Sequence, residues 1–321
     1  MDHRHRGGGL LRLIPAMAQD PGAFLGLSGA ECGADAGGVV LPVPYEATTT
    51  YMKGTARGPA ALLKASQQVE FYDEWLEDEA RRFGVRTLEP CVFPGPPEAL
   101  ADRLEPLVGE HLDAGRFPLI LGGEHSLSLG PLRAAAVRWP DLVVLHLDAH
   151  PDLREEYEGT RFGHGCVMRR VLDAGARIHA FGIRAISPEE RDLYAAQNAG
   201  GAPRATAVTA RELLGLAPPE RVERILAGLP AGPVWLSFDV DGMDPSVIPS
   251  TGTPEPGGID WYTISELMVR LDRAQRRVVG GDLVELMPQA GHHASDFAAA
   301  RLAHRMLVLG LRSRDRAAAG R

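Results

Sequence analysis

Cysteine is scarce in this chain, and its spacing excludes two common structural uses of the residue. Only Cys32, Cys91 and Cys166 occur among 321 residues, and no two of them form a Cys-x-x-Cys pair. An odd number of widely spaced cysteines indicates neither a disulfide framework nor a zinc knuckle. We therefore expect a protein of a reducing compartment, the cytoplasm.

Basic charge and long apolar runs are also lacking. There are 34 Lys and Arg against 42 Asp and Glu, a formal net charge of -8. This balance disfavours a nucleic-acid surface and mildly favours cationic ligands, although ordinary solvation of the surface accounts for it equally well. The short apolar piece near the amino terminus is too interrupted for a signal peptide or a membrane span. We expect neither a nucleic-acid nor a membrane partner, and we interpret residues 1–34 as a poorly specified N-terminal extension.

What the chain does have is an alternation of apolar runs with amphipathic segments. Hydrophobic residues make up 45% and charged residues 24%, which is typical of a globular protein. Seven apolar runs have the length of strands: 38–45, 117–123, 141–150, 177–184, 233–241, 277–286 and 306–311. Helices are predicted at 58–66, 97–115 and 261–277. Runs that are apolar throughout indicate strands covered on both faces. The predicted fold is α/β: a single three-layer α/β/α domain over 35–321, with a mostly parallel, doubly wound sheet.

Side chains that bind metals follow three of these runs. Ligands of open parallel sheets bind beyond the carboxyl ends of the strands. The candidates at the three strand ends are His125; Asp148, His150 and Asp152; and Asp239 and Asp241. A spacing of two residues places side chains on one face of a strand. The sequence therefore predicts that carboxylates and imidazoles converge at one edge of the sheet.

Such a cluster of carboxylates requires cations. Four ionised aspartates at the end of a dry sheet repel one another, and two divalent ions would balance their charge. Carboxylate and imidazole ligands without thiolate favour Mn²⁺, with Zn²⁺, Co²⁺ and Fe²⁺ as alternatives. Two ions about 3.5–4 Å apart would activate a water molecule for attack. A single Asp-x-His has more often a structural role, so the prediction depends on all three strand ends. His146 is predicted to be a packed core histidine, and Asp244 a turn residue.

Three segments contain the candidate ligands: GGEHS (122–126), DAHPD (148–152) and SFDVDGMDPS (237–246). They resemble the signatures of the ureohydrolase family, which contains arginase, agmatinase and their relatives, and the similarity runs from about residue 38 to 312. The resemblance implies a catalytic domain over 35–321 with two Mn²⁺ ions, which hydrolyses a guanidine to urea and an amine. It implies the same six metal ligands that the charge argument selected. It also implies a homo-oligomer, a trimer or a hexamer.

The resemblance assigns three catalytic roles. FGHGCVMRR (162–170) matches the segment of a proton-shuttling histidine, so His164 takes that role. GGDLVEL (280–286) matches the strand whose glutamate pairs with the substrate guanidinium, which is Glu285 here. Asp152 matches the aspartate that delivers a proton to the leaving amine.

The substrate is predicted from the loop after DAHPD. It lacks the serine–glycine–asparagine run with which arginases hold an amino acid. Glu155, Glu156 and Glu158 form either an acidic rim that attracts a distal amine or an ordinary solvated turn. We expect agmatine, giving putrescine and urea, with N1-aminopropylagmatine, giving spermidine and urea, as the alternative, and then guanidinobutyrate or arginine. The loop 44–59 resembles the agmatinase branch and is expected to border the pocket.

Some features depart from the family, and other protein classes compete. Met287 replaces a usual asparagine, and the loop 289–295 lacks an expected acidic residue; His292 and His293 are interpreted as loop residues. A two-metal phosphoesterase would need Arg or Lys beside the metals. A deacetylase of the same fold would use one zinc and would not need six ligands. A non-catalytic metal-binding regulator would be expected to lose His164 or Glu285 first.

Overall fold

A computed structural model describes residues 22–199 and 203–319. The strands are β1 Gly38–Val43, β2 Tyr72–Asp73, β3 Asp78–Glu79, β4 Val85–Thr87, β5 Phe117–Gly122, β6 Val143–Leu147, β7 Arg177–Ile183, β8 Ala205–Thr209, β9 Val234–Asp239 and β10 Val278–Val284. The helices are α1 Gly58–Ser66, α2 Pro97–Asp113, α3 Leu129–Arg138, α4 Val167–Asp173, α5 Pro188–Ala199, α6 Pro218–Ala227, α7 Trp261–Arg273 and α8 His293–Ala319. Among these residues, no helix combines the length and the apolar character needed to cross a membrane.

The central sheet of the described residues has eight strands in the order β4-β1-β5-β10-β9-β6-β7-β8. Every neighbouring pair is parallel. β2 and β3 form a separate antiparallel hairpin. The strands β5 and β6 are consecutive in the sequence but are not neighbours in the sheet, because β10 and β9 lie between them. The carboxyl ends of β5, β10, β9 and β6 therefore lie side by side, at a switch in strand order where ligands bind in such sheets.

Two apolar layers cover the sheet, one on each face. Helices α1, α6, α7 and α8 contribute to the layer that includes Leu119 of β5. Helices α2, α3 and α4 contribute to the other layer, which includes the next residue, Ile120. Adjacent strand residues thus point into different cores, as expected for a strand covered on both faces. The predicted three-layer α/β/α fold is confirmed.

The prediction of a strand at 306–311 is wrong. These residues lie inside the 27-residue helix α8, and all of them are buried. A six-residue apolar run shows no periodicity, so a fully buried stretch of helix cannot be told from a strand by pattern alone. Gly310 allows the helix to approach the sheet closely, because a Cβ there would come within 2.2 Å of the Phe117 ring.

The described part of the N-terminal extension packs on the domain. Phe24, Leu25 and Leu27 are buried in the same apolar layer as α1. The backbone N–H of Phe24 donates to Thr87 Oγ1 at 2.8 Å, and that of Leu25 to Ser66 Oγ at 2.9 Å. Residues 1–21 lie outside the described residues. A catalytic domain that begins at residue 35 stays a prediction.

Candidate metal centre and active-site pocket

Four adjacent strands deliver the predicted site residues to one edge of the sheet. His125 follows β5, Glu285 follows β10 directly, Asp239 ends β9, and Asp148 follows β6 directly. β6 ends at Leu147, although the prediction extended it to residue 150. His150 and Asp152 therefore lie in the loop beyond the strand. The alternation argument covers only Asp148 here, and the turn of the loop brings the other two side chains back to the edge.

The ligand atoms of these residues form two groups that share Asp148. One group contains His125, His146, Asp148 and Asp152, and the other contains Asp148, His150 and Asp241; within each, the ligand atoms lie within 4.8 Å of one another. Asp239 belongs to neither group, but its Oδ2 lies 3.6 Å from His125 Nδ1. The structure thus brings all six predicted ligands together.

A buried hydrogen-bond chain determines which nitrogen of His125 faces the carboxylates. Asp282 accepts hydrogen bonds from Trp235 Nε1 at 2.6 Å, Ser128 Oγ at 2.9 Å and Ser237 Oγ at 2.8 Å. Since the Ser237 hydroxyl donates to Asp282, it accepts from His125 Nε2, 3.0 Å away. The lone pair of a neutral His125 is therefore on Nδ1.

His125 Nδ1 is buried without a hydrogen-bond partner among the described residues. It lies 3.1 Å from Asp152 Oδ2 and 3.3 Å from Asp148 Oδ2. A lone pair that faces carboxylate oxygens at these distances is unfavourable unless a cation lies between them. The orphaned nitrogen and its carboxylate neighbours therefore fit a divalent metal, and the chain through Ser237 orients this ligand as outer partners do in metalloproteins.

The pKa values of buried carboxylates and imidazoles at this edge of the sheet are shifted from their usual values. Burial, together with the neighbouring carboxylates of Asp241, Asp148 and Glu285, raises the pKa of Asp239 well above its usual value. Burial lowers the pKa of His150, but hydrogen bonds with Asp148 and Asp241 outweigh it and raise that pKa to about 12. Both shifts show that this cluster favours added positive charge, which is the electrostatic property expected of residues that can hold divalent ions.

His146 is buried as predicted, but it is not an inert core residue. It lies two residues before Asp148, and its Nε2 is 2.9 Å from Asp148 Oδ2. The two-residue spacing that selected the other candidates also applies to His146 and could have identified it. His146 either orients the shared ligand Asp148 or joins it as a ligand.

Glu285 and Asp152 have a backbone conformation that is rare outside glycine. Their φ angles are 64° and 54°. Such conformations cost of order 1–3 kcal/mol each and cluster at functional sites. Glu285 Oε1 also accepts a hydrogen bond from the His125 backbone N–H at 2.7 Å, which fixes the carboxylate beside the ligand cluster.

A pocket that opens to solvent lies over the ligand cluster. Its wall includes the predicted catalytic residues Asp152, His164 and Glu285. The loop 44–59 borders the pocket as predicted, through Thr49, Thr50, Tyr51 and Met52. The loop is anchored by Glu46, whose Oε2 accepts from Gly54 N at 2.8 Å and from Ala56 N at 3.2 Å.

The predicted acidic rim is wrong. None of Glu155, Glu156 and Glu158 is among the described residues that line the pocket. Glu155 turns instead toward helix α4, where it pairs with Arg170 at 2.9 Å and Arg169 at 3.2 Å. The charged residue of this loop that does line the pocket is Arg154, stacked over the Tyr157 ring at 4.3 Å.

Sequence reasoning also missed Glu190, a buried carboxylate in the pocket wall. Its Oε1 accepts from Leu153 N at 3.0 Å, and its Oε2 accepts from Ser187 N at 2.9 Å. It therefore ties the loop after β6 to the start of α5. The Ser-x-x-Glu spacing of a helix capping box was the available signal.

The remaining expectations concern residues outside the ligand groups. Asp244 accepts from Ser246 N at 2.9 Å and Gly258 N at 3.1 Å, which is the predicted turn role. His292 and His293 are exposed and belong to neither metal-ligand group of the described residues. His292 lies in a loop as predicted, whereas His293 is the first residue of α8, so that part of the prediction is wrong. Met287 is buried, and its N–H donates to Ser250 O at 2.9 Å.

Known proteins are similar to this chain over most of its length. An N(1)-aminopropylagmatine ureohydrolase of Synechocystis sp. is 38% identical over 285 residues, covering 85% of this chain and 89% of the relative. An agmatinase of Bacillus anthracis is 34% identical over 277 residues, covering 85% and 91%. The crystal structure of the agmatine ureohydrolase of Thermoplasma volcanium superposes with a TM-score of 0.76 at 26% identity, covering 95% of this chain and 97% of that one.

The family assignment rests on the profile of the arginase family, which matches residues 36–309. That range contains all six predicted metal ligands and the three predicted catalytic residues. The chain belongs to the arginase family.

Proposed function

We propose that this chain is a two-manganese ureohydrolase that cleaves agmatine to putrescine and urea. The observation that carries the proposal is the convergence of the six predicted ligands, Asp148 among them, with Glu285 held against the same cluster. In the reaction, water adds to the guanidine carbon, one C–N bond breaks, and the amine leaves with a proton.

Different residues of the pocket have different roles in this reaction. Two divalent ions held by the six ligands would supply a nucleophile from water and stabilise charge at the attacked carbon. Glu285 holds the guanidinium cation through a charge-assisted hydrogen bond. Burial and the nearby Glu124 carboxylate raise the pKa of Glu285 well above its usual value, so a cationic partner relieves the cost of ionising it. Asp152 passes a proton to the leaving amine, and His164 moves protons between the pocket and solvent.

N1-aminopropylagmatine is a second candidate substrate. The Synechocystis relative, at 38% identity, carries that name, while the Bacillus relative, at 34%, is an agmatinase. Both substrates present a guanidinium to the metals and differ in the length of the amine tail. Arg154 in the wall would repel an ammonium placed beside it and would attract a carboxylate. Guanidinobutyrate and arginine therefore belong in the same test.

The competing classes fit the pocket less well. A two-metal phosphoesterase needs Arg or Lys at the metals, and Arg154 is the lone such residue among the described residues of the wall. A non-catalytic regulator gives no reason for His164 and Glu285 to line the pocket together with the ligand cluster. We further propose a cytoplasmic homo-oligomer, a trimer or hexamer. The free thiols of Cys32, Cys91 and Cys166 support a reducing compartment.

The test is urea release from Mn²⁺-loaded protein offered agmatine, N1-aminopropylagmatine, guanidinobutyrate and arginine in parallel. The proposal predicts the highest kcat/KM for agmatine. A higher kcat/KM for N1-aminopropylagmatine would show that the longer amine is the preferred substrate of this enzyme. A preference for guanidinobutyrate or arginine would show that Arg154 selects a carboxylate, and urea from none of the four would contradict the proposal as a whole.

A further inference from the structure

His164 is attached to the loop 44–59 through one hydroxyl group. Its ring Nδ1 lies 3.1 Å from Thr48 Oγ1, and its backbone N–H donates to the same oxygen at 3.1 Å. Thr48 is 116 residues away in the chain. Gly163 makes this approach possible, since a Cβ there would come within 3.0 Å of Thr48 Oγ1.

The hydroxyl proton of Thr48 is committed to Glu124. Thr48 Oγ1 donates to Glu124 Oε1 at 2.5 Å, and Ser126 Oγ donates to the same oxygen at 2.6 Å. Glu124 Oε2 accepts from the backbone N–H groups of Ala47 and Thr48, both at 2.6 Å. Four donors occupy the four lone-pair positions of this fully buried carboxylate, so Glu124 acts only as an acceptor.

These donors determine the direction of the hydrogen bond between Thr48 Oγ1 and His164 Nδ1. Because the single hydroxyl proton of Thr48 points to Glu124, Thr48 Oγ1 can only accept from the His164 ring. A neutral His164 therefore carries its proton on Nδ1, and the lone pair is on Nε2, for which the described residues offer no hydrogen-bond partner. His164 lines the pocket, so Nε2 is the nitrogen left to exchange protons there.

The ring is also held on its other side. The Tyr157 ring meets it edge-to-face, with centroids 5.7 Å apart and an interplanar angle of 84°. Edge-to-face contact is a favoured arrangement of two aromatic rings, so it helps to hold the orientation of the imidazole. Thr48 thus selects the tautomer, while Thr48 and Tyr157 together hold the plane of the imidazole.

We propose that Thr48, oriented by Glu124, is a positioning residue that keeps His164 in the tautomer able to exchange protons through Nε2. This rests on the proposed ureohydrolase function. Glu124 and His125 are neighbours in GGEHS, so one short segment provides a metal ligand on one side and orients the proton carrier on the other.

The experiment compares Thr48→Val, which removes the hydroxyl at nearly constant shape, with Thr48→Ser, which keeps it. Each is made in the wild-type and the His164→Ala background, and kcat, KM, bound Mn²⁺ and the pH profile are measured with the preferred guanidine. General acid–base steps contribute about 10²–10⁴-fold, so we expect Thr48→Val to lower kcat about 10–100-fold with little change in KM or bound Mn²⁺. Thr48→Ser should stay within about threefold of wild type, since an acceptor remains for the ring N–H.

Two further measurements separate positioning from a structural role. In the His164→Ala background, Thr48→Val should cost nothing further. Ser126→Ala, which removes one donor to Glu124 without touching His164, controls for damage to the carboxylate.

Equal losses from Thr48→Val in both backgrounds, or equal effects of Val and Ser, would overturn the proposal and leave Thr48 as a support of the loop 44–59. A wild-type protein that releases no urea would instead contradict the proposed function. The two failures are therefore distinguishable.

Discussion

At the scale of single residues, Asp148 is the point where the two ligand groups meet, and His146 holds one of its oxygens. Removing an outer partner of a metal ligand typically costs 10–100-fold in metal affinity. We expect His146→Ala to weaken Mn²⁺ binding by about that factor, as measured by titration calorimetry. His179→Ala is the matched control, because this buried strand histidine bonds to Thr206 Oγ1 and Ile225 O. Equal losses in the two variants would contradict the assigned contact.

Glu285 gives a second prediction at this scale. Glu285→Ala removes the proposed guanidinium partner but none of the six ligands, so kcat/KM should fall roughly 10²–10³-fold while bound Mn²⁺ stays unchanged. Glu285→Gln keeps the shape without the charge and should lose nearly as much. Steady-state kinetics give kcat/KM for each variant, and metal analysis gives the Mn²⁺ bound per chain. Loss of metal together with activity would mean that Glu285 helps to hold the metal centre.

The convergence of the candidate ligands could be predicted from sequence because strand ends and charge balance are local features. The contact of Thr48 with His164, and that of Glu124 with Thr48, could not be predicted, since they form only after three distant loops fold together. The acidic-rim prediction failed for the same reason. The charge of Glu155 is visible in the sequence, but its pairing with Arg169 and Arg170 and the orientation of Arg154 into the pocket are not.

At the scale of elements, the β2–β3 hairpin is fastened to helix α8 by a buried ion pair. Arg305 Nε lies 2.9 Å from Asp73 Oδ2, and both side chains are almost fully buried. The guanidinium also lies over the rings of Trp75 and Trp261, at 5.7 Å and 5.5 Å. Asp73 Oδ1 in addition accepts from two backbone N–H groups of the hairpin.

Breaking a buried pair leaves an uncompensated charge and costs about 3–5 kcal/mol. We expect Asp73→Ala to lower the free energy of unfolding by about that amount, as measured by urea denaturation. Asp192→Ala is the control, because the Arg191–Asp192 pair is exposed and such pairs contribute about 0–1 kcal/mol. If the two variants lost equal stability, the hairpin would not depend on Arg305.

Element boundaries were predictable where the chain supplies local signals. Pro59 and Pro97 lie in the first turns of α1 and α2, and both helices begin where predicted. The strand β8 was missed because its residues, Ala205–Thr209, are short, partly exposed side chains without an apolar run. The run 306–311 was misassigned because tertiary burial, on all sides of α8, removed the helical period from the pattern.

At the scale of the whole molecule, stability should couple to pH through the metal centre. Burial raises the pKa values of Asp239 and Asp241, and hydrogen bonds with carboxylates raise that of His150 to about 12. Groups whose pKa is raised in the folded state bind more protons folded than unfolded, so the metal-free protein loses stability as pH rises above about 4. The pKa of Asp148 is instead lowered in the folded state, so the stability that this residue contributes is lost only as pH falls below about 4.

Metal ions replace those protons, so Mn²⁺ binding should release protons and stabilise the protein more at alkaline pH. We expect saturating Mn²⁺ to raise the Tm of the metal-free protein by about 5–10 °C at pH 8.5 and by less at pH 6. Thermal unfolding of chelator-treated protein with and without Mn²⁺ gives both shifts. A larger shift at pH 6 would show that the ligands are not the protonated groups.

We infer that six residues, Asp148 among them, hold two ions that serve one hydrolytic reaction. The most direct measurement is urea release from agmatine while metal-free protein is titrated with Mn²⁺, followed together with bound metal per chain. We expect activity to rise with bound metal and to reach its plateau at two ions per chain. Full activity with one ion bound, or no urea at two, would contradict it.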